Sequence, residues 1–207
     1  MLIQEGERWL FIGDSITDCG RLDDPEGLGR GYVRYIRDYV ALRHPSLNVE
    51  WINRGVSGNR VVDLYERWET DVIRQQPDWV SISIGINDVW RQLDQRGTPV
   101  YIDEYQRVYA ELVEWTKNET EASLILMETT VIEEDLNSEG NQLLKPYNTF
   151  IRELAAEHGA LLVPMNQAFR RYLQTKNRIP LTTDGVHLTS TGNMLMAWTG
   201  LEAVQAI

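Results

Sequence analysis

The sequence predicts a three-layer α/β/α sandwich, and three observations carry that expectation. Short apolar runs rich in Val, Ile and Leu alternate with longer segments of helical period. Such alternation is the pattern of a parallel sheet covered by helices on both faces. No internal repeat, low-complexity tract or long linker divides the 207 residues. A single domain over residues 1–207 follows, long enough to cover its own core.

Taken in order, the first strand is expected at Trp9–Ile12, and it breaks off in Gly-Asp-Ser. A helix from Arg30 to Arg43 separates it from a second strand at Val49–Asn53. Val61, Tyr65, Trp68 and Val72 then recur at three- and four-residue steps, the ridge of a helix facing the core. The third strand is Trp79–Ile84, followed by a second ridge through Tyr105, Val108, Leu112 and Trp115. Leu124–Thr129 is the fourth strand and Leu143, Tyr147, Ile151 and Leu154 the third ridge. Leu161–Val163 completes the sheet, and Thr191 to Val204 forms the last helix.

Composition excludes several functions. Hydrophobic residues make up 43% and charged residues 25%, which fits neither a disordered nor a membrane chain. No apolar run approaches the ~20 residues of a membrane span, and "MLIQEGERWL" lacks the basic segment and apolar core of a secretory signal. A cytoplasmic protein is expected. A net charge of −11 repels a phosphate backbone, and the arginines are scattered among acids, so nucleic acid is not an expected partner. The single cysteine, Cys19, forms no internal disulfide and reads as a small packed residue. Seven tryptophans would fit a homo-oligomer interface.

In a parallel sheet of this kind, ligands collect at the carboxyl ends of the strands. The loops there read "GDSITDCG", "NRGVSGNR" and "GINDVWR", with "TTDGVHLT" just before the last helix. Ser15, at a strand-to-helix turn, can present its hydroxyl and its own N–H to the same point. A serine at such a place is also a common helix cap, and alone that is the better reading. Of the three histidines, His44 and His158 lie at helix ends, where a cation complements the dipole. His187 lies in "DGVH", three residues after Asp184. An irregular turn there would let Asp184 hold Nδ1–H and leave Nε2 free to take the Ser15 proton, although Asp-x-x-His alone is equally a surface turn. Gly58 in "GVSGN" permits a close backbone N–H, and Asn87 in "GIND" offers a neutral amide. Together with the Ser15 N–H, these two would form an oxyanion hole.

The four blocks "GDSITD", "RGVSGN", "GIND" and "DGVH" resemble those of the SGNH or GDSL hydrolases and span Phe11 to Leu188. The resemblance implies Ser15 as nucleophile, His187 as base with Asp184 as its partner, and Ser15, Gly58 and Asn87 as oxyanion donors. It further implies a flavodoxin-like five-stranded sheet in the order 2-1-3-4-5, with no metal and no organic cofactor. The runs "LFIGDSITDCGR" and "IGINDVWRQ" are similar to intracellular acetylxylan esterases of the family. A small acyl ester, above all an acetylated sugar such as an acetylated xylo-oligosaccharide, is the implied substrate. Where those enzymes carry an aromatic residue before the triad aspartate and a proline after the histidine, this chain has Thr183 and Leu188.

Other readings compete. A general short-chain carboxylesterase, thioesterase or lysophospholipase of the same family would use the same residues. A metal-dependent phosphoester hydrolase would instead gather Asp14, Asp18, Asp88 and Asp184 around Mg²⁺; as structural groups, Asp14 and Asp88 would accept backbone hydrogen bonds and brace their loops. The "GVSGN" segment has Asn59 where the Gly-x-Ser-x-Gly elbow needs glycine, so Ser57 is a loop residue. "GLGRG", Gly27 to Gly31, lacks a full dinucleotide fingerprint and reads as a flexible lid or turn. Trp90 and Arg91 would serve substrate binding as a flat wall and a donor to a sugar ring; as packing residues they would cover the sheet edge and stand in solvent.

Overall fold

The computed structural model describes residues 1–94, 97–176 and 179–207. Five parallel strands, β1 (Arg8–Gly13), β2 (Glu50–Gly55), β3 (Trp79–Ser83), β4 (Ser123–Met127) and β5 (Leu161–Val163), lie in the order β2-β1-β3-β4-β5. The chain steps from β1 to one side, then returns to pair β3 on the other. The carboxyl ends of β1 and β3 therefore flank the point at which the order reverses, where such sheets bind ligands. This is the strand order implied by the family resemblance.

Helices cover both faces of the sheet. They are α1 (Ser15–Asp18), α2 (Tyr32–Arg43), α3 (Val61–Asp71), α4 (Ile86–Asp94), α5 (Ile102–Glu119), α6 (Glu139–His158), α7 (Met165–Leu173) and α8 (Ser190–Ala203). Helix α2 packs on α8, whereas α3 packs on α5 and α5 on α6. Leu10, Ile12, Val80, Ile82 and Leu126 in the central strands are wholly buried, as strands covered on both sides require. Trp68 of α3 is buried too, and its indole N–H donates to Thr116 Oγ1 of α5 at 3.1 Å. Trp9, Trp51 and Trp79 cluster on the sheet, with Trp9 and Trp79 stacked at 4.9 Å.

The expected strands lie within two residues of the observed ones at every end. The first ridge departs from expectation at two positions: Tyr65 is exposed and packs at the rim against Trp115, and Val72 lies just past the end of α3. Helices α4 and α7 were not expected, because each is only nine residues long and α4 begins inside "GIND", which reads locally as a turn. Gly27 and Gly29 have φ of +69° and +77°, and the Asp24 carboxylate accepts from the Leu28 and Gly29 N–H groups. The segment is a turn tied down by its own acid. His44 and His158 close α2 and α6, as expected.

Candidate active site

Strand β1 ends at Gly13, where a Cβ would stand 2.3 Å from the Ser83 carbonyl oxygen and 2.5 Å from Thr17 Oγ1. Only glycine fits, and α1 starts at once. The cap of α1 belongs to Asp14, whose carboxylate accepts from the Ile16 N–H at 2.9 Å. The Ser15 hydroxyl is thereby spared from capping and meets His187 Nε2 at 3.0 Å. Cys19 closes α1 in the left-handed region with φ of +40° and is half-buried rather than fully packed.

His187 and Asp184 sit on a tight turn before α8. One Asp184 oxygen accepts from the Val186 and His187 N–H groups at 3.0 and 2.8 Å. The other meets His187 Nδ1 at 2.7 Å, which assigns the proton to Nδ1 and turns Nε2 toward Ser15. Burial alone would raise the Asp184 carboxyl, but the His187 ring and the two N–H groups hold it below its usual range. Thr183 steadies the turn by donating its N–H and hydroxyl to the His187 carbonyl at 2.8 and 3.1 Å.

Gly58 lies in the loop after β2 with φ of +82°, and Asn87 lies in the first turn of α4 after β3. The N–H groups of Ser15 and Gly58 donate to nothing among the described residues. Asn87 is buried; its amide gives one hydrogen to the Asn59 carbonyl at 3.0 Å, which leaves the second available. The loop is secured further by Ser57 Oγ, which donates to Asp18 at 2.6 Å, and by Arg67, which donates to Asn59 Oδ1 at 2.8 Å. Trp90 stands edge-on to the His187 ring, centroids 6.0 Å apart. Arg91 is not a free solvated arginine: its Nη2 donates to the Gly58 carbonyl at 2.5 Å.

Two buried acids brace these loops as expected. Asp14 accepts from Ile16, and Asp88 accepts from the Val61 N–H at 3.0 Å. Burial pushes the Asp14 carboxyl up to about 6 and that of Asp88 up to about 7. Among the described residues, no group of three or more His, Cys, Asp or Glu is disposed to hold a metal ion. No described helix is long and apolar enough to cross a membrane. Sequence reasoning missed the segment after β4. There Glu134 Oε1 accepts from the Leu181 and Thr182 N–H groups at 2.6 and 2.9 Å, and the Glu133 N–H donates to the Gly185 carbonyl at 2.7 Å. The acids of "VIEED" at a strand's carboxyl end were the available signal.

A strand-end serine facing an imidazole that a carboxylate holds from behind defines a hydrolase of the acyl-transferring α/β class. The chain belongs to the GDSL-like lipase/acylhydrolase family, whose model matches residues 11–195. It is 43% identical over 206 residues to an acetylxylan esterase of Geobacillus stearothermophilus, covering 95% of this chain and 93% of that relative. A crystal structure of that esterase superposes with a TM-score of 0.92 at 40% identity, over 99% of this chain and 96% of the other. Further structures of it are described as catalytic mutants at a serine, an aspartate and a histidine, the last two three positions apart as here. Another variant replaces a tryptophan directly before that aspartate, where this chain has Thr183. An α/β hydrolase from the metagenome of Lake Arreo, Spain, matches with a TM-score of 0.92 at 34% identity, over 99% and 98% of the two chains.

Proposed function

We propose that this chain, acting as one domain over residues 1–207, is a serine esterase that removes acetyl groups from carbohydrate hydroxyls. The observation that carries the reading is the hydrogen-bonded series from Ser15 Oγ through His187 to Asp184, at 3.0 and 2.7 Å. Ser15 Oγ attacks the acetyl carbon while its proton passes to His187 Nε2. The oxyanion is met by the Ser15 and Gly58 N–H groups and the free hydrogen of the Asn87 amide. His187 then protonates the departing sugar oxygen. Water, deprotonated by the same nitrogen, attacks the acetyl-serine; acetate leaves and the Ser15 proton returns. Similarity to the acetylxylan esterase supports an acetylated xylo-oligosaccharide as substrate. Trp90, beside the imidazole, supplies a flat apolar wall where the sugar would leave. A single cysteine fits a cytoplasmic setting.

The test compares acetate release from acetylated xylo-oligosaccharides, acetylated glucose and an aryl acetate. The first should be turned over fastest; equal rates on all three would remove the carbohydrate assignment and leave the esterase class. Ser15→Ala should lower kcat by ~10⁴ or more, because the members of such a triad act as a unit. An organophosphate should inactivate the enzyme and a chelator should not; the reverse would point to metal-dependent hydrolysis.

A further inference from the structure

Helix α4 grips the glycine loop at two points and the start of α3 at a third. Asn87 Nδ2 donates to the Asn59 carbonyl at 3.0 Å, Arg91 Nη2 donates to the adjacent Gly58 carbonyl at 2.5 Å, and Asp88 Oδ1 accepts from the Val61 N–H at 3.0 Å. Asn87 and Arg91 stand one helical turn apart and so share a face. The Arg91 guanidinium is boxed between two glycines of positive φ: a Cβ on Gly97 would lie 3.2 Å from Nη1, and one on Gly58 3.5 Å from Nη2. Of the neighbouring arginines, Arg60 is engaged with Asp63 and the Thr98 carbonyl, and Arg67 with Asp71 and the Asn59 side chain of the same loop; neither donates to the Gly58 carbonyl. Among the described residues the Arg91 side chain donates to one neutral carbonyl, a charge-assisted bond roughly twice as strong as a neutral one.

We propose that Arg91 is a positioning residue that keeps the Gly58 N–H aimed at the reacting carbonyl, a role that rests on the esterase reading above. Gly58 has no Cβ to restrict it, so the peptides on either side of its Cα can turn at little steric cost. Arg91 and Asn87 fix the two peptides after the Gly58 Cα, and Ser57, tied to Asp18 through its hydroxyl, anchors the chain before it; the peptide that carries the Gly58 N–H is thereby held between two anchored ends. Without the guanidinium, the N–H faces the oxyanion only part of the time, and turnover falls by the lost fraction. Ground-state binding of the ester barely uses this donor, so KM stays almost unchanged. This differs from the role of a sugar contact, in which Arg91 would act on KM for sugar esters and leave small esters untouched.

The experiment uses Arg91→Met and Arg91→Lys in the full chain. With p-nitrophenyl acetate, Arg91→Met should lower kcat about 10- to 100-fold with KM within about threefold, and Arg91→Lys should recover part of the loss. Affinity for a small boronic acid, which adds to Ser15 and places an oxygen in the oxyanion site, should weaken by the same factor as kcat. Hydrogen exchange in the segment 56–60 should quicken about tenfold in Arg91→Met, while the sheet is unchanged. Full activity on the aryl acetate with a raised KM for acetylated xylo-oligosaccharide would overturn the proposal, as would unaltered loop exchange. If Arg91→Met does not fold, Arg91→Lys decides, since its ammonium keeps the charge but not the planar fork and should give a smaller loss of the same kind. If wild type and Ser15→Ala cleave the ester equally, the esterase reading fails, and loop exchange alone judges whether Arg91 holds the loop.

Discussion

The division of labour between Asp14 and Ser15 is the decisive detail at the level of single residues. Both can cap a helix, yet the carboxylate takes the Ile16 N–H and leaves the hydroxyl to His187. Asp184 is used twice over, one oxygen fixing the turn backbone and the other the imidazole. Asn87 likewise spends one amide hydrogen on the loop and keeps one. Asn87→Ala should therefore lower kcat by ~10²–10³ with little change in KM, measured on an aryl acetate; an unaltered kcat would remove Asn87 from the oxyanion site. Ser15, Gly58, Asn87, Asp184 and His187 were readable because each is a polar or glycine residue at a strand-end loop with no packing duty to explain it. Glu134 was not, and Arg91, read as a donor to a sugar ring, was not legible as a partner of Gly58. Their partners are backbone groups 47 and 33 residues away, and no local spacing announces such a contact.

Among the elements, the approach of α1 to the sheet depends on two strand-end glycines that show nothing unusual in sequence. A Cβ on Gly55 would stand 2.1 Å from the Asp18 N and 2.6 Å from its Cα, backbone atoms that cannot swing aside. Gly55→Ala should push α1 off β2, at a cost of ~1–3 kcal/mol in urea denaturation, with esterase activity falling as Ser15 shifts. A variant as stable and as active as wild type would show that the turn has slack. The five strands were legible because their apolar runs are short, β-branched and well spaced. Helix α4 was not, since the same four letters "GIND" serve as strand exit, loop and first helical turn. Gly85, with φ of +129°, lets the chain make that change within one residue.

For the molecule as a whole, the two buried acids set a pH dependence of stability. Asp14 at about 6 and Asp88 at about 7 hold protons that the unfolded chain, near 3.8, has already released. The folded state binds more protons across roughly pH 4 to 7, so this pair's contribution to stability falls as pH rises through that window. Asp88→Asn can still accept from the Val61 N–H, and it should flatten the decline and raise the urea midpoint at pH 7 relative to wild type. Superimposable profiles for the two proteins would mean that Asp88 is ionised at little cost. The parallel sheet has one more consequence, for a nicked chain. Ser15 and His187 are 172 positions apart in the chain but 3.0 Å apart in space. Any cut of the backbone between those positions puts the two side chains on different pieces, so their contact outlasts the cut only while the sheet keeps both pieces folded together.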